Sequence, residues 1–363
     1  MLRPKLVDRY IGRVALLGIV GVWVLLTALY VVFGLLGELR NAHADYGTSD
    51  AIWFVLLTIP RMAYQVFPIS ALLGALVGVG GLAAANELVA FRTSGVSRSR
   101  LAVAALAGTI VLTIPVMIVG EWVAPATDQQ ARAFRLSEMT GQAIIGGPRG
   151  MWMRDGLDIV NIQLPVLSAD RGQQSVEFKK VVIYRFNEGE RLTSIVRAEN
   201  AVHDGSNWVL NKITDVEFGG DSAVAGFTES AVWPTSVRPE LLESAVSRPA
   251  LLSMRSLTEF ISYLGENDLD DRPYRVAFWE KAMFPFTVIA LVLAGMPFVF
   301  AQARSQSMGV RLFTGMIVGG VFMIVNRAFQ KMGGVYDLSP MLSMSVPVIV
   351  LALGAVFVLR RSV

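Results

Sequence analysis

The stretch that decides the fold is Val14-Ala-Leu-Leu-Gly-Ile-Val-Gly-Val-Trp-Val-Leu-Leu-Thr-Ala-Leu-Tyr-Val-Val-Phe-Gly-Leu-Leu36, which contains no charged residue. A run of at least about 18 apolar residues predicts a helix that crosses a bilayer, because a helix satisfies its own backbone hydrogen bonds without water. Basic residues precede this run, as they do in a secretory signal peptide. The run is longer than the roughly 7–15 apolar residues of a signal peptide and other runs follow it, so we interpret it as a membrane anchor.

Five further apolar regions predict five more spans. The second region is too long for one straight crossing and contains Pro60 and Pro68, so we expect a long, tilted or kinked helix that begins at the interface. Pro125 is expected to end the third span. The five regions are about 51–85, 101–124, 276–300, 312–329 and 341–359.

The middle of the chain has a different pattern, with short alternating runs between turn residues. Residues 181–186 and 191–197 flank Asn187-Glu-Gly-Glu190, and Asp204-Gly205 divides the run 201–210. Repeated short strands with such turns are typical of an all-β sandwich or jelly roll. Near the end of this segment, Ser256-Leu-Thr-Glu259 has the capping-box pattern that opens a helix, and Gly265 suits its end.

These patterns predict a membrane protein with a 3+3 arrangement of six transmembrane α-helices and one inserted all-β, jelly-roll-like domain. The apolar residues, 53% of the 363, are concentrated in the spans, and only 17% of the residues are charged. We predict transmembrane helices 1–3 in 1–126, the β domain in 127–273 and transmembrane helices 4–6 in 274–363.

The positions of Arg and Lys predict the orientation of the chain, because loops on the cytoplasmic side of a membrane are enriched in them. The loops on the other side hold fewer basic residues. We therefore expect a multi-pass membrane protein with both termini in the cytoplasm and the β domain on the other side of the membrane. The basic residues on the expected cytoplasmic side are Arg3, Lys5, Arg9, Arg13, Arg92, Arg98, Arg100, Arg304, Arg311, Arg360 and Arg361.

Several kinds of chemistry are excluded by what the sequence does not contain. No G-x-x-x-x-G-K-[ST] motif occurs, so ATP binding through a P-loop is not expected. There is no cysteine, and the two histidines, His43 and His203, have no neighbouring ligand pattern. We predict no catalytic residue, no cofactor, no metal and no nucleic-acid partner.

Two glycine patterns lie inside the apolar regions. Gly78-Val-Gly-Gly-Leu-Ala83 superficially imitates a dinucleotide fingerprint, but no strand precedes it, so we interpret it as a surface for helix packing. Gly74-x-x-x-Gly78 and Gly315-x-x-x-Gly319 fit the spacing that lets membrane helices approach closely.

The loop after the second span is the most informative stretch for function. Leu88, Phe91 and Val96 have roughly helical spacing, Glu87 stands where a helix dipole favours an acid, and Gly95 suits a stop. A short amphipathic helix at about 87–98 is predicted. From these residues alone, it could either lie on the membrane surface or dock into the groove of a partner.

The same loop resembles the coupling helix of the LptF/LptG permeases of lipopolysaccharide exporters. Four further segments are similar to this family, and to its G-type branch more than to its F-type branch. The resemblance covers essentially the whole chain, including the three-plus-three plan. The four segments are Asp8-Arg-Tyr-Ile-Gly12, Pro68-x-x-x-Leu-Leu-Gly-Ala75, Gly120-Glu-Trp-Val-Ala-Pro125 and Ser307-Met-Gly-Val-Arg311.

The resemblance implies a transporter subunit rather than an enzyme. An F-type paralogue and two copies of a separate cytoplasmic ATPase, LptB, are the implied partners, together with LptC and the periplasmic bridge protein LptA. The substrate implied is lipopolysaccharide, extracted from the bacterial inner membrane and passed toward the outer membrane, with the β domain in the periplasm. Closure of the ATPase pair would be transmitted through the 87–98 helix to spans one and five.

Two sets of site residues follow from the resemblance and from the predicted topology. The first set would couple to the ATPase and consists of Glu87, Leu88, Phe91, Arg92 and Gly95. The second set would bind lipid phosphate. In it, Arg61 matches a basic position of the family and Arg40 matches one of a lysine cluster at the end of span one, where this chain has Gly34 and Asn41 instead of further lysines. Arg327 and Lys331 are added from topology alone.

Other functions remain open at this stage. The F-type paralogue is the nearest alternative, and complementation of a strain depleted of one paralogue would separate the two types. A membrane-anchored periplasmic binding or signalling protein would use the spans as mere anchors. A membrane enzyme acting on envelope lipids is a third alternative, against which the absence of a catalytic constellation argues.

Overall fold

The computed structural model describes most of the chain. The residues it describes are 6–40, 46–140, 144–147, 150–170, 173–187, 189, 191–203, 207–219, 222–235, 249–266, 271–301, 308–335 and 339–361.

Six helices among these residues are long and apolar enough to cross a membrane, which confirms the predicted number of spans. Two shorter helices, α3 and α6, stand beside them, and α5 continues the third span. The helices are α1 (Leu6–Leu39), α2 (Thr48–Ala84), α3 (Glu87–Thr93), α4 (Arg98–Ile118), α5 (Ala124–Thr140), α6 (Met254–Glu266), α7 (Arg272–Ala301), α8 (Met308–Val335) and α9 (Pro340–Arg361).

The end of the third span differs from the prediction. Pro125 does not end the helix, because a π-helical turn at Val119–Val123 joins α4 directly to α5, which runs on to Thr140. Pro125 is the second residue of α5, just after this π turn. By contrast, Pro60 and Pro68 lie within α2, which is one long helix as predicted.

The start of α6 also differs from the prediction. The hydroxyl of Ser253 accepts a hydrogen bond from the backbone N–H of Ser256 at 3.1 Å, so Ser253 is the N-cap and Ser256 lies in the first turn. Glu259 pairs with Arg255 one turn earlier instead of completing a capping box. Since serine occurs at both 253 and 256, the spacing pattern alone selected the wrong one.

The middle of the chain forms one antiparallel sheet of seven described strands. Each strand pairs with its neighbour in sequence, in the order β1 to β7. This confirms the predicted inserted β domain, and among the described residues its strands form one continuous antiparallel meander. The strands are β1 (Ile144–Gly147), β2 (Gly150–Asp155), β3 (Asp158–Asp170), β4 (Gln173–Phe186), β5 (Leu192–His203), β6 (Trp208–Gly219) and β7 (Ser222–Trp233).

The two predicted hairpins are present in the sheet. At the first, the Asn187 side chain accepts backbone hydrogen bonds from Gly189 and Arg191, both at 3.0 Å, and this fixes the turn between β4 and β5. At the second, His203 of β5 pairs with Trp208 of β6. The predicted turn residues Asp204 and Gly205, like His43, lie outside the described residues.

One face of the sheet carries its core. Rows of cross-strand neighbours, such as Val160, Ile183 and Val196, are buried on this face. The rings of Phe178 on β4 and Trp208 on β6 stack with their centroids 4.4 Å apart. They meet across β5, where the small Ala201 pairs with Phe178. Alternation therefore gives this face its apolar character, as the period of two predicts.

The chain divides into two compact units. One unit comprises Met1–Phe33, Ile59–Pro125 and Pro249–Val363, and it contains most of the helical residues. The other comprises Gly34–Thr58 and Ala126–Arg248 and includes the sheet.

Within the helical unit, α1 packs closely on α2 and α4 through glycines. A Cβ atom added at Gly74 would collide with the backbone of Ile19, and one added at Gly78 would lie 2.5 Å from the carbonyl oxygen of Val14. Gly12 of α1 and Gly108 of α4 face each other in the same manner. The small-x-x-x-small spacing in α2 therefore marks a real backbone contact.

Candidate coupling and lipid-binding sites

The segment predicted to couple to an ATPase forms the short helix α3 between two sharp turns. Asn86, which precedes it, has a φ of 60°, and Gly95, which follows it, has a φ of 91°. Both values lie in the left-handed region, which glycine adopts freely and asparagine tolerates better than most residues. The next helix starts close by, where the hydroxyl of Ser97 accepts a hydrogen bond from the backbone N–H of Arg100. The helix is thus shorter than the predicted 87–98.

The inward face of α3 is attached to α1 and to the core of the helical unit. The hydroxyl of Tyr10 donates a hydrogen bond to Oε2 of Glu87 at 2.9 Å, and the ring of Phe91 packs edge-on against the Tyr10 ring at 6.3 Å. Leu88 is only 2% exposed and belongs to the main hydrophobic core. The three residues that the sequence singled out for docking therefore also make internal contacts.

A second connection fixes the same end of α1 to the start of α4. The guanidinium of Arg100 donates two hydrogen bonds to the carboxylate of Asp8, from Nε at 2.9 Å and from Nη2 at 2.7 Å. This bidentate geometry is specific to arginine. The beginning of α1 is thus held on one side by α3 and on the other by α4.

The other two predicted coupling residues, Arg92 and Gly95, are exposed. Both line a cleft of about 900 Å³ that is bounded by α3, the start of α4, one residue of α7 and the end of α9. Ala90, Thr93 and Ser94 are exposed in the same segment. The helix therefore has one face within the protein and another face open to solvent or to a partner.

The four predicted lipid-phosphate residues are distributed over both units. Arg40 is exposed directly after α1, in the unit that contains the sheet. Arg61, half-buried in α2, belongs to the helical unit, as do Arg327 and Lys331, which are exposed one turn apart on α8. Arg327 lies close enough to Glu280 of α7 for their charges to attract each other.

A buried ionic cluster in the helical unit was missed at the level of sequence. Lys281 of α7, only 8% exposed, donates to the carbonyl oxygen of Gly120 at 3.1 Å and to Oε2 of Glu121 at 3.3 Å. The other oxygen of Glu121 accepts from the backbone N–H of Met254 at 2.7 Å. The cluster joins the π turn to α6 and α7. The signal that could have found it is an ionisable residue within an apolar run.

A second missed cluster lies in the unit that contains the sheet. Glu38, 7% exposed, accepts a hydrogen bond from the hydroxyl of Tyr46 at 3.1 Å and pairs with Arg135 of α5 at 2.9 Å. Arg135 also lies over the ring of Phe54. Burial and the neighbouring Glu38 carboxylate raise the pKa of Tyr46 above its ordinary value. The cluster joins the end of α1, the start of α2 and α5.

The described residues contain no group of three or more acidic or histidine side chains that could hold a metal ion. His203 packs edge-on against the buried ring of Trp208. The ion pairs Asp8–Arg100, Glu38–Arg135 and Glu121–Lys281 lie where helices meet.

Comparison with known proteins decides which family has this arrangement. The sequence model of the family described as "Lipopolysaccharide export system permease LptF/LptG" matches residues 9–361. The chain belongs to the LptF/LptG permease family. Two relatives, both named lipopolysaccharide export system permease protein LptG, are those of Escherichia coli (strain K12), 31% identical, and Haemophilus influenzae, 30% identical. Each match covers 94% of this chain and 94% of the relative.

Membership of the LptF/LptG family confirms the family that the sequence resembles and favours a transporter subunit over the two alternatives outside the family. Because these relatives carry the LptG name, the G-type prediction is confirmed over the F-type one. The family and the six spans together make the chain a multi-pass protein of the inner membrane.

Proposed function

We propose that this chain is the G-type permease subunit of an exporter that extracts lipopolysaccharide from the inner membrane and passes it toward the outer membrane. The observation that carries the proposal is the extent of the match, which includes all six spans and the inserted sheet. The chain would pair with an F-type permease and with two copies of the ATPase LptB, and it would deliver lipid to LptC and LptA. It carries out no covalent chemistry itself.

In the proposed orientation, α3 and both termini face the cytoplasm and the sheet lies in the periplasm. Six spans place both ends of the chain on the same side of the membrane. The excess of Arg and Lys at that side supports its assignment as the cytoplasmic side. The ATPase would then meet the exposed face of α3.

For coupling, we propose that the ATPase binds the open face of α3 while the inward face transmits its movement. Force on α3 would reach α1 through the Tyr10–Glu87 hydrogen bond and the Tyr10–Phe91 ring contact. Leu88 would act as the buried anchor that moves with the core. The described contacts of α3 support transmission to α1, and transmission to the fifth span, α8, stays a prediction.

The experiment on coupling uses Glu87→Arg with a matched control. The variant places a cation where the carboxylate stands and removes the acceptor of the Tyr10 hydroxyl, so we expect loss of the ATPase from the purified complex or ATP hydrolysis without lipid export. Tyr10→Phe removes the same hydrogen bond but keeps the ring and the carboxylate.

The two variants separate docking from internal linkage. If Glu87 itself contacts the ATPase, Tyr10→Phe retains both ATPase binding and export. If the internal hydrogen bond matters most, Tyr10→Phe reproduces the export defect with the ATPase still bound. Full binding and full export in Glu87→Arg would remove this residue from the coupling mechanism.

The lipid path is proposed to start at the apolar surface of the outer half of α1. Side chains there are widely exposed, including Leu25 at 66% and Phe33 at 64%, although the residues before them are held tightly by glycine contacts. An F-type partner opposite this surface would enclose a cavity for acyl chains. The lipid's phosphates would then contact Arg40, Arg61, Arg327 and Lys331. Arginine binds phosphate through a planar fork, and lysine binds it as a point charge.

Arg61 offers the sharpest test of phosphate binding. Because it is half-buried among membrane helices, we expect Arg61→Glu to lower the amount of lipopolysaccharide that co-purifies with the complex, while the ATPase remains bound. Arg61→Lys keeps the charge without the fork and should recover only part of the loss. Unchanged lipid in Arg61→Glu would assign this side chain to ordinary contact with lipid headgroups.

In the sheet, the face that carries the core is proposed to accept the acyl chains. Photo-crosslinkers at Val181, Ile183 and Val196 would test that face, and crosslinkers at Val182 and Ile195 would serve as controls on the opposite face. We expect ATP-dependent adducts with lipopolysaccharide at the first three positions. Adducts at none of them would make the sheet a scaffold rather than a path.

A further inference from the structure

The cleft beside α3 is rich in basic residues, which the proposed coupling role of α3 does not require. Three arginines line it, namely Arg92 of α3, Arg98 at the start of α4 and Arg360 near the end of α9. None of the lining residues is acidic. Among the described residues, no ion pair involves any of these three guanidinium groups.

The guanidinium of Arg98 has an unsatisfied hydrogen-bond donor. Its Nε atom is buried and has no hydrogen-bond partner within the described structure. Arg92 lies close enough to repel it. A buried donor without an acceptor and two like charges side by side both favour the binding of an anion, because an anion supplies the acceptor and screens the repulsion.

Apart from the arginines, the cleft is lined by the hydroxyl residues Thr93, Ser97 and Ser99, by Gly95, and otherwise by apolar side chains. Val103 of α4 is 64% exposed, Val356 of α9 is exposed, and Leu293 of α7 also lines the cleft. Apolar side chains contribute nothing to the binding of free inorganic phosphate. A phospholipid, by contrast, has an anionic headgroup for the arginines and a hydrocarbon part for the apolar side chains. Basic pockets between membrane helices recognise anionic headgroups in this way.

We propose that this cleft binds an anionic phospholipid, with the headgroup phosphate on Arg92, Arg98 and Arg360 and the glycerol and upper acyl segments against Val103, Leu293 and Val356. The bound lipid would connect α3 to α4 and α9 and would thereby make the position of the coupling helix depend on the charge of the surrounding leaflet. Assignment to the cytoplasmic leaflet rests on the proposed orientation, whereas binding itself does not depend on lipopolysaccharide export.

The experiment counts the lipids that the assembled complex retains. The complex in mild detergent is mixed with equal amounts of phosphatidylglycerol and phosphatidylcholine, and native mass spectrometry gives the ratio bound. We expect phosphatidylglycerol to be preferred, and the preference to fall about 25-fold in the double variant Arg98→Gln/Arg360→Gln, since each basic residue near a membrane surface contributes about fivefold. The control is Arg13→Gln, because Arg13 is an exposed arginine of α1 outside the cleft.

Three results would overturn the proposal. The first is an unchanged preference in the double variant, and the second is an equal loss in Arg13→Gln. The third is loss of the preference when inorganic phosphate replaces chloride at constant ionic strength, which would assign the site to free phosphate. Arg98→Lys/Arg360→Lys keeps the charge and should retain most of the preference, so a loss of binding through misfolding is recognised. Failure of lipopolysaccharide export with an intact preference would affect only the proposed function.

Discussion

The helical unit and the sheet achieve burial by opposite means. Between α1, α2 and α4 the side chains are absent at the points of contact, and the backbones at Gly12, Gly18 and Gly74 touch their neighbours directly. In the sheet, large rings such as Phe178 and Trp208 fill the space above small residues. Added atoms should therefore destabilise the contacts between the helices, and removed atoms should destabilise the sheet.

The largest effect is expected for Gly74→Leu in the helical unit. Its new side chain would meet the backbone of Ile19, which cannot move aside as a side chain would, so the loss should exceed the about 1–3 kcal/mol that is typical of overpacking. We expect little folded complex, measured as the yield of monodisperse protein in detergent. Gly81→Leu on the same helix has open space around it and should leave the yield intact. Equal yields for both variants would contradict the role of the backbone contact.

In the sheet the damaging change is truncation. Trp208 is 2% exposed, and Trp208→Ala should lower the free energy of unfolding by about 3–5 kcal/mol. Phe227→Ala on β7 removes a ring that is 71% exposed and should change it by no more than about 0.5 kcal/mol. Thermal unfolding of the complex, followed by far-UV circular dichroism rather than by tryptophan fluorescence, compares the two variants. Similar shifts would mean that the sheet has no single buried face.

A smaller effect is expected where a charged group crosses the otherwise apolar helical unit. Lys281→Met removes the partner of Glu121, and leaving such a group unsatisfied costs about 1–3 kcal/mol. The double variant Glu121→Gln/Lys281→Met should recover part of this loss, because no carboxylate is then left unpaired. The melting temperatures of the four proteins form a double-mutant cycle. Strict additivity would show that the ion pair contributes nothing.

The smallest effect on stability is expected at the partly exposed pair of Asp8 and Arg100. Ion pairs of this kind contribute about 0.2–1 kcal/mol, so Asp8→Asn should hardly change the melting temperature. If the pair guides the movement of α1, the same variant should lower the ratio of lipid exported to ATP hydrolysed. A large loss of stability would instead give the pair a structural role like that of the buried glycines.

The sequence predicted the spans because their length and hydrophobicity are local properties. It predicted the inserted β domain and its hairpins, since alternation and turn residues are local as well. The pairing of each strand with its neighbours in sequence was not predicted, because alternation marks a strand without saying which other strand it pairs with. Pro125 misled because a π turn, which has no strong sequence signature, changes the effect of the proline that follows it.

The candidate site shows a similar limit. The α3 helix and its flanking turn at Gly95 were evident from spacing, but which side of α3 faces inward depends on contacts from a distant part of the chain, as with Tyr10. Arg92 was predicted to couple to the ATPase, whereas Arg98 and Arg360 were noted only as markers of orientation. Their convergence depends on the packing of α3, α4 and α9, which no local pattern encodes.

The strand order of the sheet has a consequence for the timing of folding. Each strand pairs with the strand just before or after it, so the sheet has a low contact order and needs no long loop closure. As the chain emerges during synthesis, every new strand finds its partner already formed. The sheet can therefore be complete before α7, α8 and α9 have left the ribosome, whereas the core of the helical unit, which includes residues of α1 and of α7 to α9, must wait for the last span.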